Sequence, residues 1–476
     1  MKRREFIKLT TLNAGLLIGY GHFGYARNVL QDGRTQRGPV PVSPDNPAIQ
    51  LLKDRCVNCG RCRGFCSNTT AVYEQVVPSG EDPCVYCGQC TLFCPHKALT
   101  EQFHYQEVAQ AIANSDKIVI ASTAPSIRVA LGEMYDLTPG TDVEGKIVGA
   151  LKQMGVDHVL DATFSADLAV MEEATELLQR LEKGLSDSKP MFTSCCPSWV
   201  RFVKLFYPAI QPNLSTAKSP LLMQGALVKT WFAAKQGIDP ANIIHIALMP
   251  CTAKKSEIWL EGMNSAGVSH GKPEMRDVDI ALTCRELAYL LNESTVNFLE
   301  AQDAPYSPLM GSGSGAGLIF GNTGGVMEAT LRTAYKLLND KNPPAEFYEL
   351  RPVRGFDGVR QANVDLGKHK LNVAVVHGLI NAKSFIETLQ SDQQPFDFVE
   401  VMACPGGCIG GGGQPNISDI DAEQLKQQRL NALYQRDISR KIRLSCDNPE
   451  IKAIYNDFLG EPLGKKSTEL LHIERC

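Results

Sequence analysis

From Lys117 onward the chain alternates short apolar runs with longer stretches in which apolar residues recur every three or four positions. The first pattern predicts buried strands, the second helices with one face in a core. KIVIAS (117–122) reads as a strand and SIRVALGEMY (126–135) as a helix. HVLDA (158–162) reads as a strand, and SADLAVMEEATELLQRLEK (165–183) as a helix with an apolar stripe. IIHIALM (243–249), VDIALT (278–283), LNVAVVHG (371–378) and FDFVEVMA (396–403) are further strands, and MFTS (191–194) is a short extended piece. This alternation predicts an α/β body with helices flanking the sheets. Residues 445 to 476 are polar with two short helical runs, IKAIYNDFLG and STELLHIERC, a tail that wraps the main body.

The pattern differs before Lys117. Residues 27–48 are rich in Pro, Gly and polar residues and predict a linker. Ahead of them, MKRREFIKLTTLNAGLLIGYGHFGYA carries the pair Arg3-Arg4, a weakly apolar run and the small-residue stretch Gly24-Tyr25-Ala26. That is the layout of a twin-arginine signal peptide over residues 1–26. The run is short and broken by glycine, which argues against a membrane span. No later segment is long and apolar enough to cross a bilayer. The predicted location is periplasmic, reached by export of the folded chain.

With 476 residues, more than one domain is expected. The chain is 43% hydrophobic and 21% charged with a formal charge of -4, and no basic stripe points to nucleic acid. Gly311-Ser-Gly-Ser-Gly-Ala matches a loose dinucleotide fingerprint, but no strand precedes it, so a nucleotide site is discounted.

Cysteine spacing changes the picture most. CVNCGRCRGFC places Cys56, Cys59, Cys62 and Cys66, and CVYCGQCTLFCP places Cys84, Cys87, Cys90 and Cys94. Both are C-x2-C-x2-C-x3-C, the run that binds 4Fe–4S cubes in bacterial ferredoxins. A tight loop wraps three corners of a cube, and the fourth cysteine reaches the other cube. Cys56, Cys59, Cys62 and Cys94 are therefore assigned to one cube, and Cys84, Cys87, Cys90 and Cys66 to the other. Zinc needs fewer ligands, in widely separated pairs. Disulfides do not easily join thiols packed this tightly in a loop. Two cubes in series predict an electron wire that ends at a soluble carrier.

Three more cysteine motifs lie in the α/β region. MFTSCCPSW holds Cys195 and Cys196, ALMPCTAKKSE holds Cys251, and EVMACPGGCIGGGGQP holds Cys404 and Cys408. Each follows a predicted strand or extended piece, and open α/β sheets place ligands beyond the carboxyl ends of strands. Five thiols are expected at one buried point. A third cube needs four, which leaves one over.

These three stretches, with the double ferredoxin segment and the tail, resemble the iron-only (FeFe) hydrogenases over nearly the whole chain after the linker. The resemblance implies a two-lobed α/β catalytic domain with twisted sheets around a buried metal cluster, plus a small α+β ferredoxin-like domain. The implied division is a signal at 1–26, a linker at 27–48, a ferredoxin-like domain at 49–105, a catalytic domain at 106–440 and a small-subunit-like segment at 441–476. The implied cofactors are two 4Fe–4S clusters and an H-cluster, a cubane joined to a two-iron unit carrying CO, cyanide and an azadithiolate. The implied activity is reversible H2 oxidation and proton reduction. The implied partners are H2, protons, hydrogenase maturation proteins and a soluble carrier, a periplasmic c-type cytochrome or a ferredoxin.

Residue by residue, the resemblance gives Cys196, Cys251, Cys404 and Cys408 to the H-cluster cubane, with Cys408 also bridging to the two-iron unit. Cys195, the fifth thiol, becomes the proton donor and acceptor. Glu173, Glu176, Ser215 and Arg180 become the rest of a proton relay, although Glu173, Glu176 and Arg180 alone would read as a solvated ion-pair face. Lys254 matches a lysine that bonds one cyanide, and Ser126 with the Pro125 backbone matches the site of the other. Without the resemblance, Lys254 reads as solvated and Ser126 as a helix N-cap. Met249, Met402 and Phe320 match residues that pack on the two-iron unit, or are ordinary core. Gly406, Gly407 and Gly410 to Gly413 are expected to leave room for that unit. Leu221-Leu222 stand where the family often has Gln, Ser67 where ferredoxins often have Pro, and Ser198 where Gly is common. Cys284 reads as a small buried hydrophobe and Cys476 as exposed; Cys446 lies outside any motif. Two other functions of the same fold compete: a non-catalytic iron–sulfur assembly factor and an H2 sensor. The intact Cys195 and the export signal weigh against the first. Cys195 and the lack of an added signalling domain weigh against the second.

Overall fold

Ten strands form three sheets in this computed structural model, which describes residues 40–73, 75–183, 190–391, 396–416 and 421–474. The predicted signal, most of the linker and Cys476 lie outside the described residues. The strands are β1 (Ile49–Leu51), β2 (Leu99–Glu101), β3 (Ile118–Thr123), β4 (His158–Asp161), β5 (Met191–Phe192), β6 (Ile243–Met249), β7 (Ile280–Thr283), β8 (Val359–Asp365), β9 (Lys370–His377) and β10 (Phe398–Met402). One sheet runs β4-β3-β6-β7, parallel throughout. A second runs β5-β10-β9-β8, parallel except for β8. The third is the antiparallel pair β1-β2, which closes the cysteine-rich segment. The fold is α/β in two lobes, with helices on the sheets and a small α+β domain beside them.

Parallel strands covered on both faces read as unbroken apolar runs. That is why β6 and β10, buried nearly throughout, were legible in the sequence. By contrast β8 (VRQANVD) is an edge strand with a largely exposed, polar alternation, and no strand was predicted there. The predicted helix over 126–135 is instead two short 3-10 turns, Pro125–Val129 and Leu131–Tyr135. Every residue from Ser126 to Glu133 is buried, so there is no solvent face for an amphipathic helix. Arg128 anchors the segment through Asp161 at 2.7 Å and an ion pair with Glu144.

Helix Ala162–Lys183 starts directly after β4 and packs in the middle of the molecule. Asp167, Glu172, Glu173 and Glu176 are all buried on it, so this helix has no solvated ion-pair face at those positions. Asp167 accepts hydrogen bonds from Ser314, Ser445 and Asn448, which ties the C-terminal segment to the α/β body. Around the discounted glycine fingerprint, Gly313 and Gly317 lie against Thr163, where any Cβ would meet that residue at 2.0 and 2.5 Å. These glycines serve close helix packing. Cys284 is fully buried at the start of helix Cys284–Glu293.

Glu400, in β10, accepts from the backbone N–H groups of Gly324 (2.7 Å) and Met327 (2.8 Å) at the start of helix Gly325–Asn339. Burial nevertheless pushes its carboxyl up to about 7 from 4.5, against those bonds and Arg360. The folded protein thus holds a proton there that the unfolded chain has released. Stability from this group is present below about 4.5 and is lost as pH rises through about 7. In denaturant titrations across that interval, the stability advantage of wild type over Glu400→Gln should shrink with rising pH. A difference independent of pH would refute this assignment.

Candidate metal centre

The carboxyl ends of the two large sheets face one space. Pro125 and Ser126 follow β3, Cys251 follows β6, Cys195 and Cys196 follow β5, and Cys404 and Cys408 follow β10. Together they line a cavity of ≈ 820 Å³, with Met249, Lys254, Met402, Phe320 and Leu221. All five cysteines predicted to converge are on its wall, as are the five predicted lining residues. Met402, Phe320 and Cys195 also belong to one apolar cluster, so lining the cavity and filling the core are the same role here.

The donor set fits a large, thiolate-bound group. Burial drives the Cys404 thiol well above its usual range, with the Cys251 and Cys196 thiols adding to it. Burial, then Cys196, raises Cys251 to about 11, while Lys254 opposes this. Without added positive charge these sulfurs keep their protons; a metal reverses that, because coordinated thiols ionise. Among the described residues no three His, Cys, Asp or Glu side chains close around a single ion. The thiols instead surround a space far larger than one ion.

Lys254 is buried rather than solvated. Burial opposes its charge, but Glu257, then Cys251 and Cys195, hold its pKa above the ordinary lysine value. Its Nζ donates to Glu257 Oε2 at 2.7 Å and to the Cys195 carbonyl at 3.2 Å. Ser219 Oγ donates to the same Glu257 oxygen at 3.0 Å. A fixed cation on the cavity wall suits anionic ligands. Ser126 makes no helix-cap bond, and its buried Oγ has no hydrogen-bond partner among the described residues. It is a spare donor on the same wall.

The glycine run divides in two. Gly407 and Gly411 line the cavity. Gly407 has φ +85°, and a Cβ there would sit 2.6 Å from the Thr323 nitrogen. Gly410, Gly412 and Gly413 instead let chains touch: a Cβ on Gly412 would lie 2.2 Å from the Cys87 carbonyl oxygen. The expectation that the whole run makes room for a bound unit is therefore corrected. Gly412 lies in the seam against the cysteine-rich segment, where Gln89 Nε2 also donates to the Gly410 carbonyl at 2.8 Å, and Gly413 packs against Thr283.

From Cys195 a line of polar groups leads outward. Burial first, then the Glu173 carboxylate, pushes the Cys195 thiol well up. Ser215 Oγ donates to Glu176 Oε2 at 2.7 Å, and Arg180 donates to Glu176 Oε1 at 2.6 Å. The Thr216 N–H also donates to Glu176, at 3.1 Å. Arg180 is partly exposed and donates to the Leu214 carbonyl. Of the five residues predicted as a relay, Ser215, Glu176 and Arg180 are joined by these bonds, and Arg180 reaches the surface.

In the small domain, Cys56, Cys59, Cys62 and Cys94 line one cavity. Burial raises Cys62 to about 11, and Cys94 and Cys59 add to it. Cys90, fully buried, is pushed up by burial and then by Cys84 and Cys66. Cys62 also adds to the rise at Cys90. Asn58 and Tyr86, and Gly60 and Gly88, occupy matching places in the two runs with φ of 52°, 62°, 77° and 68°. Such left-handed turns aim backbone N–H groups inward. Cys94 accepts from the Ala98 N–H at 3.2 Å, and Cys66 from Thr70 Oγ1 at 3.3 Å. The Cys87 carbonyl lies against Gly412, so the second run adjoins the glycine stretch that borders the large cavity.

Sequence reasoning missed Glu257, Ser219, Glu172 and His472. The i, i+3 spacing of Lys254 and Glu257 was the one local signal for any of them.

Comparison with known proteins gives consistent results. The family described as "Iron only hydrogenase large subunit, C-terminal domain" matches residues 117–412, and "Iron hydrogenase small subunit" matches 423–474. The chain is 39% identical to iron hydrogenase 1 of Clostridium pasteurianum, over 91% of this chain and 76% of that one. It is 39% identical to the periplasmic [Fe] hydrogenase large subunit of Nitratidesulfovibrio vulgaris, over 78% and 87%. A cytosolic Fe–S cluster assembly factor of Danio rerio is 30% identical over 77% and 88%. A solved [FeFe]-hydrogenase, studied for oxygen damage to its H cluster 2Fe subcluster, superposes with a TM-score of 0.68 at 38% identity, over 79% of this chain and 99% of that one.

Proposed function

Because this chain belongs to the iron-only hydrogenase family, we propose that it interconverts H2 with protons and electrons at an H-cluster held in the large cavity. The observation that carries the reading is the five-cysteine wall: four thiols to hold a cubane, and a fifth to spare. Cys196, Cys251, Cys404 and Cys408 would hold the iron–sulfur part of the H-cluster. When bound, the H-cluster supplies the iron chemistry of making and splitting H2. Lys254 offers a cation, and Ser126 and the Pro125 backbone offer polar groups, to its anionic ligands. Met249, Met402, Phe320 and Leu221 exclude water around it. Leu221 brings no hydrogen bond, which affects tuning rather than activity.

Cys195 holds and passes the proton at the cavity wall. Glu173, Ser215, Glu176 and Arg180 carry it outward, by short steps between exchangeable groups. Cys66, Cys84, Cys87 and Cys90 would hold one 4Fe–4S cube and Cys56, Cys59, Cys62 and Cys94 another, and these clusters would supply electron transfer to a carrier. The second set lies nearer solvent, where a soluble carrier docks, a periplasmic c-type cytochrome or a ferredoxin. Export by the twin-arginine route delivers the chain folded, after maturation proteins have loaded the cluster. The division into a 49–105 wire, a 106–440 catalytic domain and a 441–476 small-subunit-like segment belongs to the same reading.

An assembly-factor function is the second reading, favoured by the more distant relatives. Infrared spectroscopy of the matured, purified protein separates the two. Bands of terminal CO and cyanide are expected; a fully matured protein without them would support the assembly reading instead.

A further inference from the structure

The C-terminal segment reaches Thr216 and its neighbours through its backbone and through the His472 side chain. Residues 471–473 lie along residues 216–218 like a short strand. Lys218 N–H donates to the Leu471 carbonyl at 2.8 Å, Ile473 N–H donates to the Thr216 carbonyl at 2.9 Å, and Ala217 and His472 form an antiparallel bridge. His472 is buried, and its ring is held at both nitrogens. Nδ1 pairs with Thr216 Oγ1 at 2.8 Å, and Nε2 with Glu172 Oε2 at 3.0 Å.

Glu172 is the anchor of this contact. It is fully buried on helix Ala162–Lys183, next in sequence to Glu173. It accepts from Tyr455 Oη at 2.5 Å, Ser467 Oγ at 2.5 Å and the Leu463 N–H at 2.8 Å. All three donors belong to the C-terminal segment. A buried carboxylate with this many donors is a costly arrangement to break, because each lost partner leaves a desolvated group. Its position is therefore well determined, and so is that of the imidazole it holds.

The far end of the contact is the peptide that carries Ser215. Thr216 N–H and Ser215 Oγ both donate to Glu176. A shift of Thr216 would move both donors away from the carboxylate, and proton transfer is steeply sensitive to such distances.

We propose that His472 is a positioning residue of the proton path, which the C-terminal segment inserts between Glu172 and Thr216 to hold Ser215 and Thr216 against Glu176. The inference rests on the relay reading above. It makes the small-subunit-like segment a working part of proton transfer rather than a wrapping only.

The test uses the matured full chain. Thr216→Val keeps the shape and removes the hydroxyl that meets His472; it should lower H2 turnover about 10- to 100-fold. The solvent deuterium isotope effect should rise, with the CO and cyanide bands unchanged. Thr216→Ser, which keeps the hydroxyl, should restore both. In His472→Ala, amide hydrogen exchange across residues 215–217 should quicken, a readout independent of turnover. Glu176→Gln serves as the reference. Loss of turnover in Glu176→Gln with wild-type rates and isotope effect in Thr216→Val overturns the positioning role and leaves the relay standing. A variant that only melts earlier, with an unchanged isotope effect, also overturns it. Normal turnover in Glu176→Gln removes the relay reading, and this inference with it.

Discussion

A Cys195→Ala protein is expected to lose H2 turnover by about 10²- to 10⁴-fold, the usual contribution of one positioned acid–base group. It should keep its full iron content and its CO and cyanide bands. The physical reason lies in the count of sulfurs on the cavity wall. Four of the five thiols suffice for a cubane, so removing the fifth leaves the metal site complete. What disappears is the exchangeable proton between the cavity and Glu173. Alanine also leaves a gap the size of a thiol in an apolar surround, which water fills poorly because it lacks partners there. Cys195→Ser is the sharper variant, since a hydroxyl preserves volume but releases a proton far less readily than a thiol. Wild-type turnover in either protein would refute the relay. Loss of the infrared bands would make Cys195 a ligand instead.

Cys404→Ala is expected to abolish turnover together with the infrared bands and to lower iron per protein. Cys404 is buried at the end of β10 and shares the wall with Cys196, Cys251 and Cys408. A cube short of one corner would lose one of its four proposed protein ligands. Cys284→Ala is the control, because Cys284 is equally buried but outside the cavity; iron and activity should both survive. Cys94→Ala separates site from wire. It should slow electron delivery to an external carrier while H/D exchange at the catalytic site continues. Full iron and activity in Cys404→Ala would remove that residue from the ligand set.

The legible parts of this protein are those whose information is local. The two cysteine runs are legible because a tight loop is a matter of spacing, and their matching left-handed turns follow from it. Likewise β6 and β10 announced themselves as unbroken apolar stretches. The 3-10 turns over 125–135 did not, because Arg128 is held by Asp161 and Glu144 from other segments. Glu173 and Glu176 resembled a solvent face until other elements covered the helix. His472 carried no signal at all: its partners Thr216 and Glu172 lie 256 and 300 residues away along the chain.

By itself, the sequence determined which thiols can share a loop, where the buried strands run and that one sulfur exceeds the need of a cubane. Only the tertiary structure decided which glycines border the cavity, that Lys254 is caged by Glu257, and that the tail reaches Thr216. Spacing encodes geometry within a turn or two of backbone. Burial and the pairing of distant groups depend on how separate segments pack, and a linear pattern does not record that.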